Sequence, residues 1–134
     1  MSEEVAEIFS KHIFSSKYED LSEKTIKQLK VFLLDTIGVG IAGSTGSKLV
    51  ELKKIAHSWS EGQNCTVLGT WDKYSRDAAT LINAYQIHCL EYDCIHEGAV
   101  VHPMAAILSS LLAHCEELNN LGYNTNGKDF LISL

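Results

Sequence analysis

Residues 88–102 concentrate side chains that can carry a proton. Within these 15 residues lie three imidazoles, three carboxylates and two thiols. Imidazole titrates near neutral pH, and burial can raise the pKa of a carboxylic acid towards the same range. Side chains of these two kinds, held close together, can take a proton from carbon or oxygen and deliver it elsewhere. The segment is therefore a candidate for general acid–base catalysis.

Two other interpretations of the same residues stay open. Histidines and carboxylates can serve the fold alone, by capping helices and holding loop amides. A metal site is the third interpretation, because His, Asp, Glu and Cys are all metal ligands. The spacings Cys89-x4-Cys94 and His96-x5-His102 fit no standard zinc motif, so we expect no metal there.

Permanent cations are absent from a long stretch around this segment. From Asp77 to Gly127, over 51 residues, the chain contains no lysine or arginine. An anionic substrate bound here would need its charge balanced by protonated histidines or by cations from elsewhere.

Two helices with strong apolar stripes are predicted on either side of the segment. Ser75 is placed to cap the first, and Pro103 suits the first turn of the second, where its missing N–H is harmless. Their inward positions are Ala78, Leu81, Ile82, Tyr85 and Cys89, then Met104, Ile107, Leu108, Leu111, Leu112, Cys115 and Leu118. His88 and Glu91 are three residues apart and should be neighbours on one helix face.

Helical periodicity predicts four further helices. The caps of the first three are Ser2, Ser22 and Ser47, and Asn126 begins the last. The stripe of the first is Val5, Ile8, Phe9 and Ile13, that of the second is Ile26, Leu29, Leu33 and Ile37, and that of the third is Leu49, Leu52, Ala56 and Trp59, with Gly62 as its stop. The second half of the second helix is apolar all round, so we expect it at the centre of the fold.

The remaining local signals complete an all-α helical bundle over residues 1–134. The piece CTVLGT (65–70) is predicted to be extended but too isolated to form a sheet core. Gly38, Gly40 and Gly43 predict either a close approach of another backbone or a frayed helix end. The last helix reaches Leu134 after barely two turns and without a cap, so we expect the domain to be truncated there.

Composition argues against several classes of function. Eleven Lys and Arg against seventeen Asp and Glu give a net charge of −6 with no basic stripe, which disfavours nucleic-acid and membrane-surface partners. The longest apolar stretch, residues 31–43, is interrupted by Asp35 and is too short to span a bilayer. The acidic start lacks a signal pattern, and the four cysteines are expected to be reduced thiols. We expect a cytoplasmic protein.

Three motifs in order carry a family resemblance. They are LLDTIGVGIAGS (33–44), then Ala78-Ala79 followed by Asn83-Ala84 and His88, and finally His88-x-Leu90-Glu91-Tyr92-Asp93 with His96 and Val101-His102-Pro103. Together they resemble the amino-terminal part of the MmgE/PrpD family of 2-methylcitrate dehydratases, which also includes cis-aconitate decarboxylases. Similarity to this family extends over nearly the whole chain.

The resemblance implies the start of a helical domain, homodimers, and lyase chemistry on a small polycarboxylic acid without metal or organic cofactor. Carried over by position, Glu91 and His102 are the catalytic residues, and Asp93, Ile95 and His96 contact the substrate. Five residues depart from the family pattern: Glu91 and Cys94 each replace an aspartate, Ile95 replaces a threonine, Met104 a serine and Ala84 a glycine.

The departures and the expected truncation leave two functional hypotheses. The first is a lyase fragment that is inactive as residues 1–134 alone. The alternative is a non-catalytic, degenerate or truncated helical module with a packing or dimerisation role.

Overall fold

The helices form most of the structure. The computed structural model describes residues 4–59 and 61–134, so the predicted cap at Ser2 lies outside the described residues. The elements are α1 (Val5–Ser15), α2 (Glu23–Ala42), α3 (Leu49–His57), β1 (Cys65–Thr66), β2 (Lys73–Tyr74), α4 (Arg76–His88), α5 (Pro103–Asn120) and α6 (Gly127–Ser133). The strands pair as one antiparallel hairpin. The predicted all-α fold, with a minor extended piece at 65–70, is confirmed.

Helix α4 lies at the centre and packs against α2, α3 and α5. Its side chains Ile82 and Ile87 are fully buried, as is Leu108 of α5. Two buried amides join this helix to the chain around it. Asn83 accepts from the Leu68 N–H at 2.9 Å, and Gln86 donates to the carbonyls of Gly40 and Leu68 at 3.0 and 2.8 Å. Because these backbone groups would otherwise be buried without partners, the amides fix α4 in register with α2.

Close packing of α2 on α4 explains two of the three glycines. A Cβ added to Gly43 would lie 1.9 Å from the Gln86 carbonyl oxygen, and one added to Gly40 would lie 2.8 Å from a Leu68 methyl. A Cβ on Gly38 would meet nothing within 4 Å. The predicted close approach of another backbone is therefore confirmed at Gly43.

Most helix boundaries follow the predicted caps. Ser22 and Ser75 each accept a hydrogen bond from the first turn of the helix that follows, and Pro103 is the first residue of α5. Asn126 caps α6 by accepting from the N–H groups of Lys128 and Asp129. These are local interactions between neighbours in sequence, which is why the sequence predicts them.

The expected position of α2 is wrong. Val31, Phe32, Leu34 and Ile41 are exposed, and Thr36 and Gly40 are the buried residues of this helix. Helices α4 and α5 cover one side of α2 in the described chain, so an all-apolar helix still has an open face. Helix α1 has no buried residue, and Ile107 of the predicted α5 stripe is exposed.

The ends of α3 also differ from the prediction. Lys48 (φ 70°) precedes the helix in a left-handed conformation, and no side chain caps it. Ser47 instead offers its carbonyl to the Tyr85 hydroxyl. The helix ends at His57, where the Ser58 hydroxyl donates to the Ile55 carbonyl at 2.7 Å. Trp59 therefore lies beyond the helix and is 60% exposed rather than inward.

No single helix among the described residues is long and apolar enough to cross a bilayer. The segments Glu23–Thr45 and Leu49–His57 meet the length and composition criteria together, but they are bent by 96°.

Candidate active site between helices α4 and α5

The loop between α4 and α5 closes on itself and turns one carboxylate inward. The His96 N–H donates to the Val101 carbonyl at 2.9 Å, which forms an isolated antiparallel bridge. Glu91 (φ 55°) and Val100 (φ 52°) have left-handed backbone conformations, which reverse the chain direction on either side. The result is that Asp93 is buried while the residues around it are largely exposed.

Asp93 is held between two imidazoles. Its side chain is 1% exposed, and its carboxylate oxygens lie 3.1 Å from Nδ1 of His88 and 3.2 Å from Nδ1 of His102. The two imidazole rings contact each other edge to face, with centroids 4.8 Å apart and planes at 66°. A buried carboxylate needs charged or hydrogen-bonding partners, and these two rings supply them. We call His88, Asp93 and His102 the Asp93 cluster.

The two contacts to Asp93 differ in their directionality. His88 Nδ1 lies in hydrogen-bonding geometry with both carboxylate oxygens. His102 Nδ1 is buried and makes no hydrogen bond with the described residues, even though Oδ2 of Asp93 is 3.2 Å away. The distance supports electrostatic attraction, but the Nδ1 atom and the oxygen are not aligned as in a hydrogen bond. His102 would have to rotate to form that hydrogen bond.

Glu91 reaches the same cluster from the solvent side. It lies three residues beyond the end of α4, and its Oε1 is 3.6 Å from Nε2 of His88. His88 and Glu91 are therefore close, as predicted, but they do not share a helix face, because α4 ends at His88 and Glu91 has a left-handed backbone. The Glu91 side chain is 75% exposed. His88 thus lies between the two residues predicted to be catalytic, Glu91 on one side and His102 on the other.

Ile95 and His96 lie on the outer part of the loop. Ile95 is exposed, and Nδ1 of His96 accepts a hydrogen bond from the Ala99 N–H at 3.1 Å. These contacts hold His96 to its own loop, outside the Asp93 cluster. Their predicted role as substrate contacts, like that of Asp93, stays a prediction.

A mostly apolar groove of about 530 Å³ runs beside the two imidazoles. Its lining residues are Leu52, Leu81, Ala84, Tyr85, His88, Cys89, His102, Ala105 and Ala106. Burial raises the pKa of the Cys89 thiol, which keeps the sulfur protonated and argues against a thiolate nucleophile. The groove therefore offers two imidazoles as its proton-transfer groups.

The Asp93 cluster is also the group of residues best placed to hold a metal. One donor atom from each of its three residues lies within 4.8 Å of the others. Two imidazoles and a carboxylate are a donor set suitable in type for a zinc-like ion.

His88 is the residue of this site whose contribution the sequence prediction missed. Its spacing from Glu91 indicated one neighbour, but Asp93 follows by only five residues and falls in a loop. The contact between them depends on the reversal at Glu91, which no helical periodicity predicts.

Comparisons with known proteins agree with the motif-based resemblance. The MmgE/PrpD N-terminal domain matches residues 7–134. The cis-aconitate decarboxylase-like protein oryM of Aspergillus oryzae is 28% identical over 121 residues, which are 88% of this chain and 25% of the relative. Human cis-aconitate decarboxylase is 29% identical over 119 residues, 88% of this chain and 24% of the relative.

The mouse cis-aconitate decarboxylase is 27% identical over 134 residues, 99% of this chain and 27% of the relative. The chain therefore spans about a quarter of the length of these relatives. No solved structure matches it. Since the domain match covers nearly all of its residues, the chain belongs to the MmgE/PrpD family of lyases.

Proposed function

We propose that this chain supplies the proton-transfer part of a lyase that acts on a small polycarboxylic acid of the citrate or aconitate type. His102 and Glu91 are the proposed acid and base, in an order that the proposal leaves open. The observation that carries the proposal is the position of His102. Its side chain is 30% exposed at the groove while its Nδ1 atom is buried against Asp93.

Two reactions of such acids fit these groups. In dehydration, a base removes a proton from carbon, and an acid protonates the hydroxyl group as it leaves as water. In decarboxylation, the carbon–carbon bond breaks, CO2 leaves, and the electron pair left on carbon takes a proton from an acid. The printed names of the relatives favour decarboxylation of a cis-aconitate-like acid.

The charge of the substrate has to be balanced by groups outside residues 77–127. The stretch from Asp77 to Gly127 has no lysine or arginine, and the Asp93 cluster contains a carboxylate of its own. Cations that neutralise the substrate carboxylates would stabilise the charge that develops during the reaction. We therefore expect no turnover by these 134 residues alone.

A chimeric enzyme tests the proposal directly. The segment of human cis-aconitate decarboxylase that matches this chain is replaced by the chain itself, and loss of cis-aconitate is followed. His102→Ala should lower kcat at least about a hundredfold, because a positioned acid–base group contributes roughly that much. The matched control is His114→Ala, an exposed histidine of α5, which should change kcat less than about twofold.

Two measurements decide how the result is interpreted. Circular dichroism establishes that the variant chimeras are folded. A folded His102→Ala chimera that retains more than about a tenth of the activity would remove His102 from the chemistry.

The alternative function, a non-catalytic packing or dimerisation module, is favoured by a different observation. Helix α1 has no buried residue, and α2 exposes Val31, Leu34 and Ile41 on one face. Contiguous apolar surface of this kind commonly marks an interface. Sedimentation equilibrium of the chain tests this, with Leu34→Lys as the variant. A dimer that Leu34→Lys dissociates would support the alternative, and a monomer at all concentrations would contradict it.

A further inference from the structure

We infer that Asp93 is a positioning residue for a pair of imidazoles, and that His88 joins His102 in facing the substrate. The inference rests on the proposed function of the groove. It gives Asp93 an indirect role and gives a direct one to His88, which the motif comparison left without a role.

Burial separates Asp93 from any substrate in the groove. Its side chain is 1% exposed, and the contacts of its carboxylate within the described chain are with His88 and His102. A substrate atom could reach that carboxylate only by displacing one of the imidazoles. Asp93 therefore acts through the two rings rather than on the substrate itself.

The same contacts determine which edge of each ring is free. Both Nδ1 atoms face Asp93, so the opposite ring edge, which carries Nε2, is directed away from the buried carboxylate. The His88 side chain is 46% exposed, and both histidines line the groove. The Nδ1 atom of His102 is buried, so the exposed 30% of this side chain belongs to its other atoms.

Ring contact strengthens this orientation. The rings of His88 and His102 meet edge to face at 4.8 Å, so neither can turn over without moving the other. A carboxylate that accepts from the Nδ1–H of an imidazole leaves Nε2 as the atom that exchanges a proton, as in other Asp–His pairs. One buried carboxylate thus orients His88 by a hydrogen bond and His102 by electrostatic attraction.

Glu91 distinguishes the two imidazoles. Its carboxylate lies 3.6 Å from Nε2 of His88, while His102 has no such neighbour among the described contacts. Nε2 of His88 therefore faces a second carboxylate, and His88 suits substrate binding rather than proton transfer. His102 is left as the ring with the free Nε2 for proton transfer.

The tautomers of the two rings test the positioning role without any need for activity. The chain is labelled with 15N-histidine and studied by NMR at pH 8, above the ordinary imidazole pKa of about 6.5. His88 should carry its proton on Nδ1, because that atom is hydrogen-bonded to Asp93, and the attraction of the Asp93 carboxylate should favour the same tautomer in His102. Asp93→Ala should move the proton to Nε2, the tautomer that free histidine favours. The matched control is Asp77→Ala, an exposed aspartate of α4, which should move neither proton.

Further outcomes keep this test decisive. If Asp93→Ala does not fold, Asp93→Asn replaces it, and its single amide oxygen should hold only one of the two rings as the Nδ1–H tautomer. Nitrogen shifts that are unchanged in a folded Asp93→Ala chain would overturn the inference. Stoichiometric binding of Co²⁺ by the wild-type chain but not by Asp93→Ala would also overturn it, because Asp93 would then be a metal ligand.

The role of His88 is tested separately in the chimeric enzyme. His88→Gln should raise KM for cis-aconitate at least about fivefold and lower kcat less, because binding is lost rather than the proton-transfer group. The control is His12→Gln, an exposed histidine of α1. An unchanged KM would overturn the role of His88, whereas the proposed function is decided by His102→Ala.

Discussion

The two ends of helix α5 each hold a carboxylate, and they hold it in different ways. Near its start, Asp93 is buried between His88 and His102. Near its end, Glu116 accepts from the N–H and hydroxyl of Thr66 and pairs with Lys73 at 3.2 Å. The partners of Glu116 are a permanent cation and neutral donors, whereas the partners of Asp93 are two imidazoles that also line the groove.

This difference separates an attachment point from the candidate active site. Glu116 joins the β-hairpin to α5, and any exchange of its partners would only loosen the fold. Asp93 holds two rings that line the groove of the proposed reaction, while its own carboxylate stays buried. A buried or half-buried carboxylate therefore has a structural role at one end of α5 and a role in the candidate active site at the other, and its partners determine which.

The largest effect that should separate the two ends is on stability. Glu116→Ala should lower the free energy of unfolding by about 2 kcal/mol, because it leaves the Thr66 N–H and hydroxyl without their acceptor. Asp93→Asn should cost about half as much, at roughly 1 kcal/mol, because the half-exposed imidazoles can turn to water. Urea unfolding measures both values. A larger cost for Asp93→Asn would reverse the comparison.

A smaller effect concerns pH. Burial opposes ionisation of Glu116, but hydrogen bonds from Thr66 and the charge of Lys73 outweigh it and lower the pKa of Glu116 from its usual 4.5. The folded state then binds the proton less readily than the unfolded state. The resulting stability is fully present above about pH 4.5 and is lost as pH falls through the lower folded value.

The comparison of Glu116→Gln with the wild-type chain measures this contribution. The difference in unfolding free energy should be constant between pH 7 and pH 5.5 and should shrink at pH 4 and below. A difference of the same size at pH 3 would show that the charge of Glu116 contributes nothing.

The smallest expected effect is with metal. Neither end of α5 should produce a saturating Co²⁺ absorption band at equimolar metal. The histidine and cysteine spacings of residues 88–102 fit no standard zinc motif, and the Glu116 end offers one carboxylate beside a lysine. A band that His102→Ala removes would instead favour the metal-site interpretation of residues 88–102.

The sequence predicts those parts of the fold that depend on neighbours in the chain. The caps at Ser75 and Asn126 and the start of α5 at Pro103 are local, and each lies where it was predicted. Burial depends on distant packing, which explains the errors. Leu34 and Trp59 have the right residue type for a core, but nothing in the described chain covers them.

In the candidate active site, too, local features could be predicted from the sequence and contacts that depend on the folded loop could not. Residue types and spacing identified the segment and placed His88 beside Glu91, which the structure confirms. They could not show which of its acidic and imidazole groups converge, because that depends on the left-handed backbone of Glu91 and on the bridge between His96 and Val101. Asp93 emerges as the centre only once the loop is folded.

The absence of lysine and arginine from residues 77–127 has a practical consequence for chemical mapping. Trypsin cleaves after these two residue types, so Arg76 and Lys128 bound one peptide, residues 77–128. Digestion of the chain would therefore leave His88, Asp93 and His102 on a single fragment. The same fragment holds His96 and His114, so fragmentation of this one peptide in a mass spectrometer would assign carbethoxylation to each of its four imidazoles.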